Sequence, residues 1–246
     1  MVSPTQVDLV LVIDASQSMR PCIEQLKNHL KELIKPMQGR VARVRFGLVG
    51  MSASAKDGER IYRPHTLAGG PESLGWLYDG SNQHEFLTDD PDKVIARLDD
   101  LVCEGNEDNA MALDIALDHP FGPVSNTKRV VALFSDEKLE AGVQGRDINS
   151  FIPRIVQKLH ARRIKLFCAM PYSDAAQQLS EANGSEIEDV KGQGLATVDF
   201  RLLLGQMGKS ISASSLQGGL EEKYERALFS QDQMVDTNEW VEGDNS

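Results

Sequence analysis

The run Leu9-Val10-Leu11-Val12-Ile13 is apolar at every position, so neither face of a strand built from it can meet water. A strand covered on both sides belongs in the middle of a sheet packed between helices, usually a parallel one. Residues 129–134 (Arg-Val-Val-Ala-Leu-Phe) and 164–169 repeat the pattern. Residues 41–49 read as the second strand. Residues 83–87 read as a short third strand at an edge.

Helical stripes separate these runs. Pro21 opens the first helix, where a missing N–H is harmless, and Ile23, Leu26, Leu30, Leu33 and Ile34 fall at helical spacing. Further helices are predicted over residues 90–102, 109–117, 148–159, 174–182 and 200–210. The alternation predicts an α/β fold. It is a doubly wound, mostly parallel, Rossmann-like central sheet flanked by helices, with one antiparallel edge strand. Residues 1–217 make one domain. Residues 52–82, rich in Gly, Ser and charge, read as an insertion in the hairpin between strands two and three, with a small strand pair of their own around 60–65.

From residue 218 the composition changes to eight acids against two bases, over half of the net charge of −11. Residues 218–246 read as an acidic, partly disordered tail whose Phe229, Met234 and Trp240 offer docking anchors. The overall charge argues against nucleic acid as a partner, because phosphates would be repelled. No apolar run approaches the roughly 20 residues needed to cross a bilayer, and the N-terminus lacks a secretory pattern, so no membrane is expected and the cytoplasm is the expected compartment. Cys22, Cys103 and Cys168 are too few and too scattered for a disulfide framework or a zinc site, and read as buried free thiols.

Two polar clusters follow directly on buried strands, Asp14 to Ser18 and Ser135 to Glu137. In parallel sheets ligands bind outside the carboxyl ends of the strands. Asp14, Ser16 and Ser18, at i, i+2 and i+4, bring one carboxylate and two hydroxyls to a single turn. Asp136 offers a second carboxylate. This is the hard-oxygen set that Mg²⁺, or another divalent cation such as Mn²⁺ or Ca²⁺, accepts. Asp-x-Ser-x-Ser alone is weak, since Asp and Ser crowd strand-to-helix turns as caps; the second strand-end Asp strengthens it.

Residues 9–19 (Leu-Val-Leu-Val-Ile-Asp-Ala-Ser-Gln-Ser-Met) closely resemble the opening strand and metal-ion-dependent adhesion site (MIDAS) of von Willebrand factor A (vWA) domains. Residues 44–49 resemble that family's second strand and residues 129–137 its fourth, with the later Asp of the site. The likeness runs in order from about Val7 to Ser214. It implies a cation held by Asp14, Ser16, Ser18 and, directly or through water, Asp136, and a protein partner whose Asp or Glu completes the metal shell. One departure stands out. Where the family places a Thr, counting back from Leu113 gives Glu107, with Asp108 and Asn109 as the nearest alternatives. A third carboxylate from Glu107 or Asp108 would leave the site about one charge negative. Either it closes the site itself, or the ligand is neutral or basic. Residues 200–215 are similar to bacterial tellurium-resistance-type vWA proteins, which implies a stress-response or antiviral-defence complex with an AAA+ ATPase, kinase or phosphatase.

The expected function is therefore a non-enzymatic, cation-dependent interaction module. The alternative is a Mg²⁺-dependent hydrolase or phosphotransferase using Asp14 as nucleophile. Against it, Ser16 stands where haloacid-dehalogenase-like phosphatases carry a second acid. None of His29, His65, His84, His119 and His160 pairs recognisably with a Ser or Cys. A third reading is a switching subunit that moves residues 200–212 in response to the metal.

Overall fold

The computed structural model describes residues 6–37, 39–56, 59–80, 83–105, 108–139, 148–190, 195 and 198–212. Glu107 and residues 218–246 lie outside them. Six strands form one sheet: β1 (Gln6–Asp14), β2 (Arg43–Lys56), β3 (Glu59–Thr66), β4 (Thr127–Phe134), β5 (Ile164–Met170) and β6 (Glu186–Asp189). Their order is β3-β2-β1-β4-β5-β6. Every pairing is parallel except β2 with β3. The expected fold class holds: a mostly parallel sheet with one antiparallel edge strand.

The helices are α1 (Arg20–Ile34), α2 (Ser73–Tyr78), α3 (Pro91–Asp99), α4 (Asn109–Leu117), α5 (Ile148–Arg162), α6 (Asp174–Ser180) and α7, residues 200–212. Alternation along β1 divides them. Leu9, Leu11 and Ile13 pack with Leu26 and Leu30 of α1, Leu98 of α3 and Leu204 of α7. Val10 and Val12 pack with Leu113 of α4, Ile155 of α5 and Leu179 of α6. Residues 9–13 are at most 1% exposed, so each contributes about 2 kcal/mol of burial. Helix α4 has almost no polar face, with Ala110, Ala112, Leu113, Ile115, Ala116 and Leu117 all buried. It is sandwiched rather than laid on the surface, which fixes its first residue, Asn109, against the sheet.

Three features depart from the sequence reading. Residues 83–87 are not a strand. Phe86 turns into the core, and His84 stacks face to face on Trp76 with ring centroids 3.7 Å apart. Only a single bridge, Thr88 to Phe46, touches the sheet. The antiparallel edge is instead β3, whose register runs from Val49↔Thr66 to Lys56↔Glu59. Residues 52–82 are therefore not an insertion between strands: 52–56 and 59–66 are the hairpin itself, and α2 follows it. Pro64, which lacks a ladder donor, sits in this edge strand, where it is tolerated. Finally, β6 is a short acidic strand, Glu-Ile-Glu-Asp, with three of four residues exposed, and it lacks the apolar signal that revealed the others.

β2 pairs with β1 only as far as Asp14↔Met51 and then continues through Lys56. At the opposite end of the sheet, Asp8 is fully buried between Arg45 and Arg129, its register partners on the two sides. Arg45 donates to both carboxylate oxygens, at 2.8 and 2.6 Å. The Gly122 amide adds a third bond at 2.7 Å. Arg129 in turn donates to the carbonyls of Gly122 and Arg162. All three cysteines are buried free thiols, as expected. Among the described residues no helix is long and apolar enough to cross a membrane.

Candidate metal centre

The register of β1 and β4, Ile13↔Phe134, makes the two strands leave the sheet side by side. Asp14 and Ser135 therefore face each other at adjacent strand ends. The turn after β1 is pinned from both sides: the Ala15 amide donates to Met51 O at 2.9 Å, and Glu104 donates to Ala15 O at 3.2 Å.

Asp14 is fully buried. Its Oδ1 accepts from the Ser16 amide at 2.8 Å. Its Oδ2 accepts from Ser135 Oγ at 2.7 Å, the shorter of that hydroxyl's two acceptors, Glu137 O lying at 3.2 Å. Ser135 Oγ itself accepts from Asn109 Nδ2 at 2.8 Å and from the Glu137 amide at 3.0 Å. Ser16 Oγ and Ser18 Oγ lie 3.0 Å apart, the first buried and the second exposed. Asp136 is half-buried beside them.

The electrostatics are those of a site short of positive charge. Burial pushes the Asp14 carboxyl above its ordinary value, against the hydrogen bonds from Ser135 and Ser16, and the charge of Asp136 pushes it further the same way. Burial, with the fields of Asp136 and Asp14, raises the Cys22 thiol to about 11. Among the described residues neither carboxylate has a Lys or Arg partner. Among the buried oxygens without a hydrogen-bond partner in the described residues are Asp136 Oδ1 and Asn109 Oδ1. Most buried polar atoms find one, so an orphan needs a reason. The two carboxylates, the two close hydroxyls and the Asn109 amide oxygen fit a hard divalent cation. Among the described residues no three His, Cys, Asp or Glu side chains are grouped to hold a metal, so a cation here would draw on hydroxyl or amide oxygens as well.

Asp108 meets the start of α4 through one of its two carboxylate oxygens. It is the N-cap of α4, its Oδ1 accepting from the Met111 amide at 2.9 Å, where a negative charge complements the helix end. The α4 residue that reaches the strand-end cluster is Asn109, only an alternative in the sequence reading. Ser135, noted there only as part of a cluster, is the hub. The available signal was its hydroxyl placed directly after a buried strand. The five histidines stand apart: His84 on Trp76, His160 on Asn183, His119 buried at the end of α4, and His29 and His65 half-buried on α1 and β3.

No family model and no curated protein sequence matches the chain. Solved structures do. The VWA domain of SpRpn10 superposes with a TM-score of 0.51 at 12% identity, over 82% of this chain and 96% of that domain. The fold is a von Willebrand factor A fold. Proximal thread matrix protein 1 from the mussel byssus is similar with a TM-score of 0.54 at 11% identity, over 85% of this chain and 47% of that one. At such identity the likeness concerns the fold. In the vWA arrangement, Asp14 and Asp136 sit where parallel strands deliver their carboxyl ends.

Proposed function

We propose that this chain is a non-enzymatic protein-interaction module whose strand-end site takes up a divalent cation, Mg²⁺ or alternatively Mn²⁺ or Ca²⁺. Asp14, Ser16, Ser18 and Asp136 are its protein oxygens, directly or through water. The observation that carries the reading is the pair Asp14 and Asp136: two carboxylates at adjacent strand ends, one fully buried, with no basic side chain paired to either among the described residues. A dication would neutralise both. Glu107 remains a candidate third acid. Counting Asp14 and Asp136 alone, the site is neutral once a dication binds, so charge would not oppose an acidic residue of a partner as a further ligand.

The partner is a protein, and the sequence resemblance proposes an AAA+ ATPase, kinase or phosphatase in a bacterial stress-response or defence complex of the cytoplasm. A hydrolase is the weaker reading. Asp14 is held by two donors at the base of the site, and no second acid stands at position 16. Affinity capture from native lysate tests the proposal. Partner recovery should require Mg²⁺, be abolished by EDTA and be abolished by Asp14→Ala. Recovery indifferent to both would refute it.

A further inference from the structure

We infer that Asn109 supplies a cation ligand through its side-chain oxygen, taking the place of the hydroxyl expected before α4. This rests on the cation reading above and adds to it a residue outside the strand-end motifs.

The argument starts from where Asn109 is held. It is the first residue of α4, behind the Asp108 cap, and is 3% exposed. Its amide has two ends. Nδ2 donates to Ser135 Oγ at 2.8 Å, and that hydroxyl donates to Asp14 Oδ2 at 2.7 Å. Oδ1 is buried with no donor to it.

Reversing the amide does not cure the orphan. Ser135 has one hydroxyl proton. If Asn109 Oδ1 accepted it, Asp14 Oδ2 would lose its donor and Nδ2 would be stranded in turn. The orientation present is the one in which Ser135 serves both neighbours. It leaves a buried amide oxygen, a hard neutral donor, on a side chain linked through Ser135 to the Asp14 carboxylate. Asp136 Oδ1, on the next residue of the chain after Ser135, is likewise buried without a hydrogen-bond partner. One cation between Asp14, Asn109 and Asp136 would satisfy both oxygens.

Mn²⁺ is the probe, bound to the full chain with its asparagine carboxamide carbons labelled with ¹³C. Electron–nuclear double resonance should show a ¹³C coupling that is absent in Asn109→Ala and Asn109→Asp. Titration should show Asn109→Ala binding Mn²⁺ at least about tenfold more weakly, and Asn109→Asp, which keeps an oxygen and is expected to fold with its acid at a helix N-terminus, binding no more weakly than the wild type. Mn²⁺ binding that depends on Asp14 but shows no such coupling would overturn the assignment of Asn109 and leave the cation site standing. A wild-type chain with no saturable Mn²⁺ binding would overturn both.

Discussion

Ser135 Oγ donates to Asp14 Oδ2 at 2.7 Å, tying the ends of two adjacent parallel strands through a single proton. Ser135→Ala removes the donor from a buried carboxylate and the acceptor from Asn109. In urea unfolding the metal-free variant should lose about 1–3 kcal/mol, and its Mg²⁺ affinity should fall. Equal stability and equal affinity would make the contact incidental.

Asp14 presents the reverse case. A carboxylate buried without a basic partner destabilises the metal-free protein at neutral pH. Asp14→Asn should therefore unfold at a higher temperature than the wild type in EDTA. Mg²⁺ should raise the wild type alone, by about 2.7 kcal/mol at a hundred times its dissociation constant. Equal shifts in both proteins would place the cation elsewhere.

His119 sets an acid limit. Burial lowers its imidazole from 6.5 to about 4. A depressed native value means the folded state favours the neutral ring, so the contribution is fully present above pH 6.5 and is lost as the pH falls through about 4. Over that window stability should drop by up to about 3 kcal/mol. His119→Gln should flatten the profile between those limits. An unchanged slope would assign the acid sensitivity to other groups.

Two glycines of α7 should respond in opposite directions. A Cβ on Gly208 would meet the Leu33 carbonyl oxygen of α1 at 2.3 Å, so Gly208→Ala must push the helices apart, at about 1–3 kcal/mol. Gly205 has nothing within 4 Å of that position, and Gly205→Ala should stabilise by about 0.5–1 kcal/mol through helix propensity alone. Thermal melts of the two variants check the pair.

Arg45→Met would strand Asp8 without its charge partner at the far end of the sheet. Breaking such a pair from one side costs about 3–5 kcal/mol. The double variant with Asp8→Leu should recover much of the loss. No recovery would mean that Arg45 acts through packing instead.

The sequence discloses this architecture wherever burial is two-sided. Residues 9–13, 130–134 and 166–169 have no polar face to hide, so their strands and the parallel sheet follow from composition alone. The hairpin and β6 are harder to see. In β3 the residues alternate weakly and include Pro64, while β6 is acidic and exposed, so neither carries the apolar period that marks a strand. Residues 83–87 carry enough apolar character to mimic one, but Trp76 and the core claim His84 and Phe86 first. At the site, Asp14 and Asp136 were legible because each follows a buried run. The role of Ser135 as hub, the selection of Asn109 and the capping by Asp108 depend on how α4 meets the sheet, which spacing along one chain does not encode.

The overrun of β2 past β1 has a consequence for access. Five residues, Ser52 to Lys56, continue beyond the last pairing with Asp14, a rise of about 17 Å at strand geometry. The carboxyl edge of the sheet is therefore stepped beside Asp14, with β2 rising past the end of β1. A broad, flat surface resting on that hairpin would be held away from Asp14. A narrow projection, such as a loop tip, would clear that step. In the proposed role, that step would sort partners by shape as well as by charge.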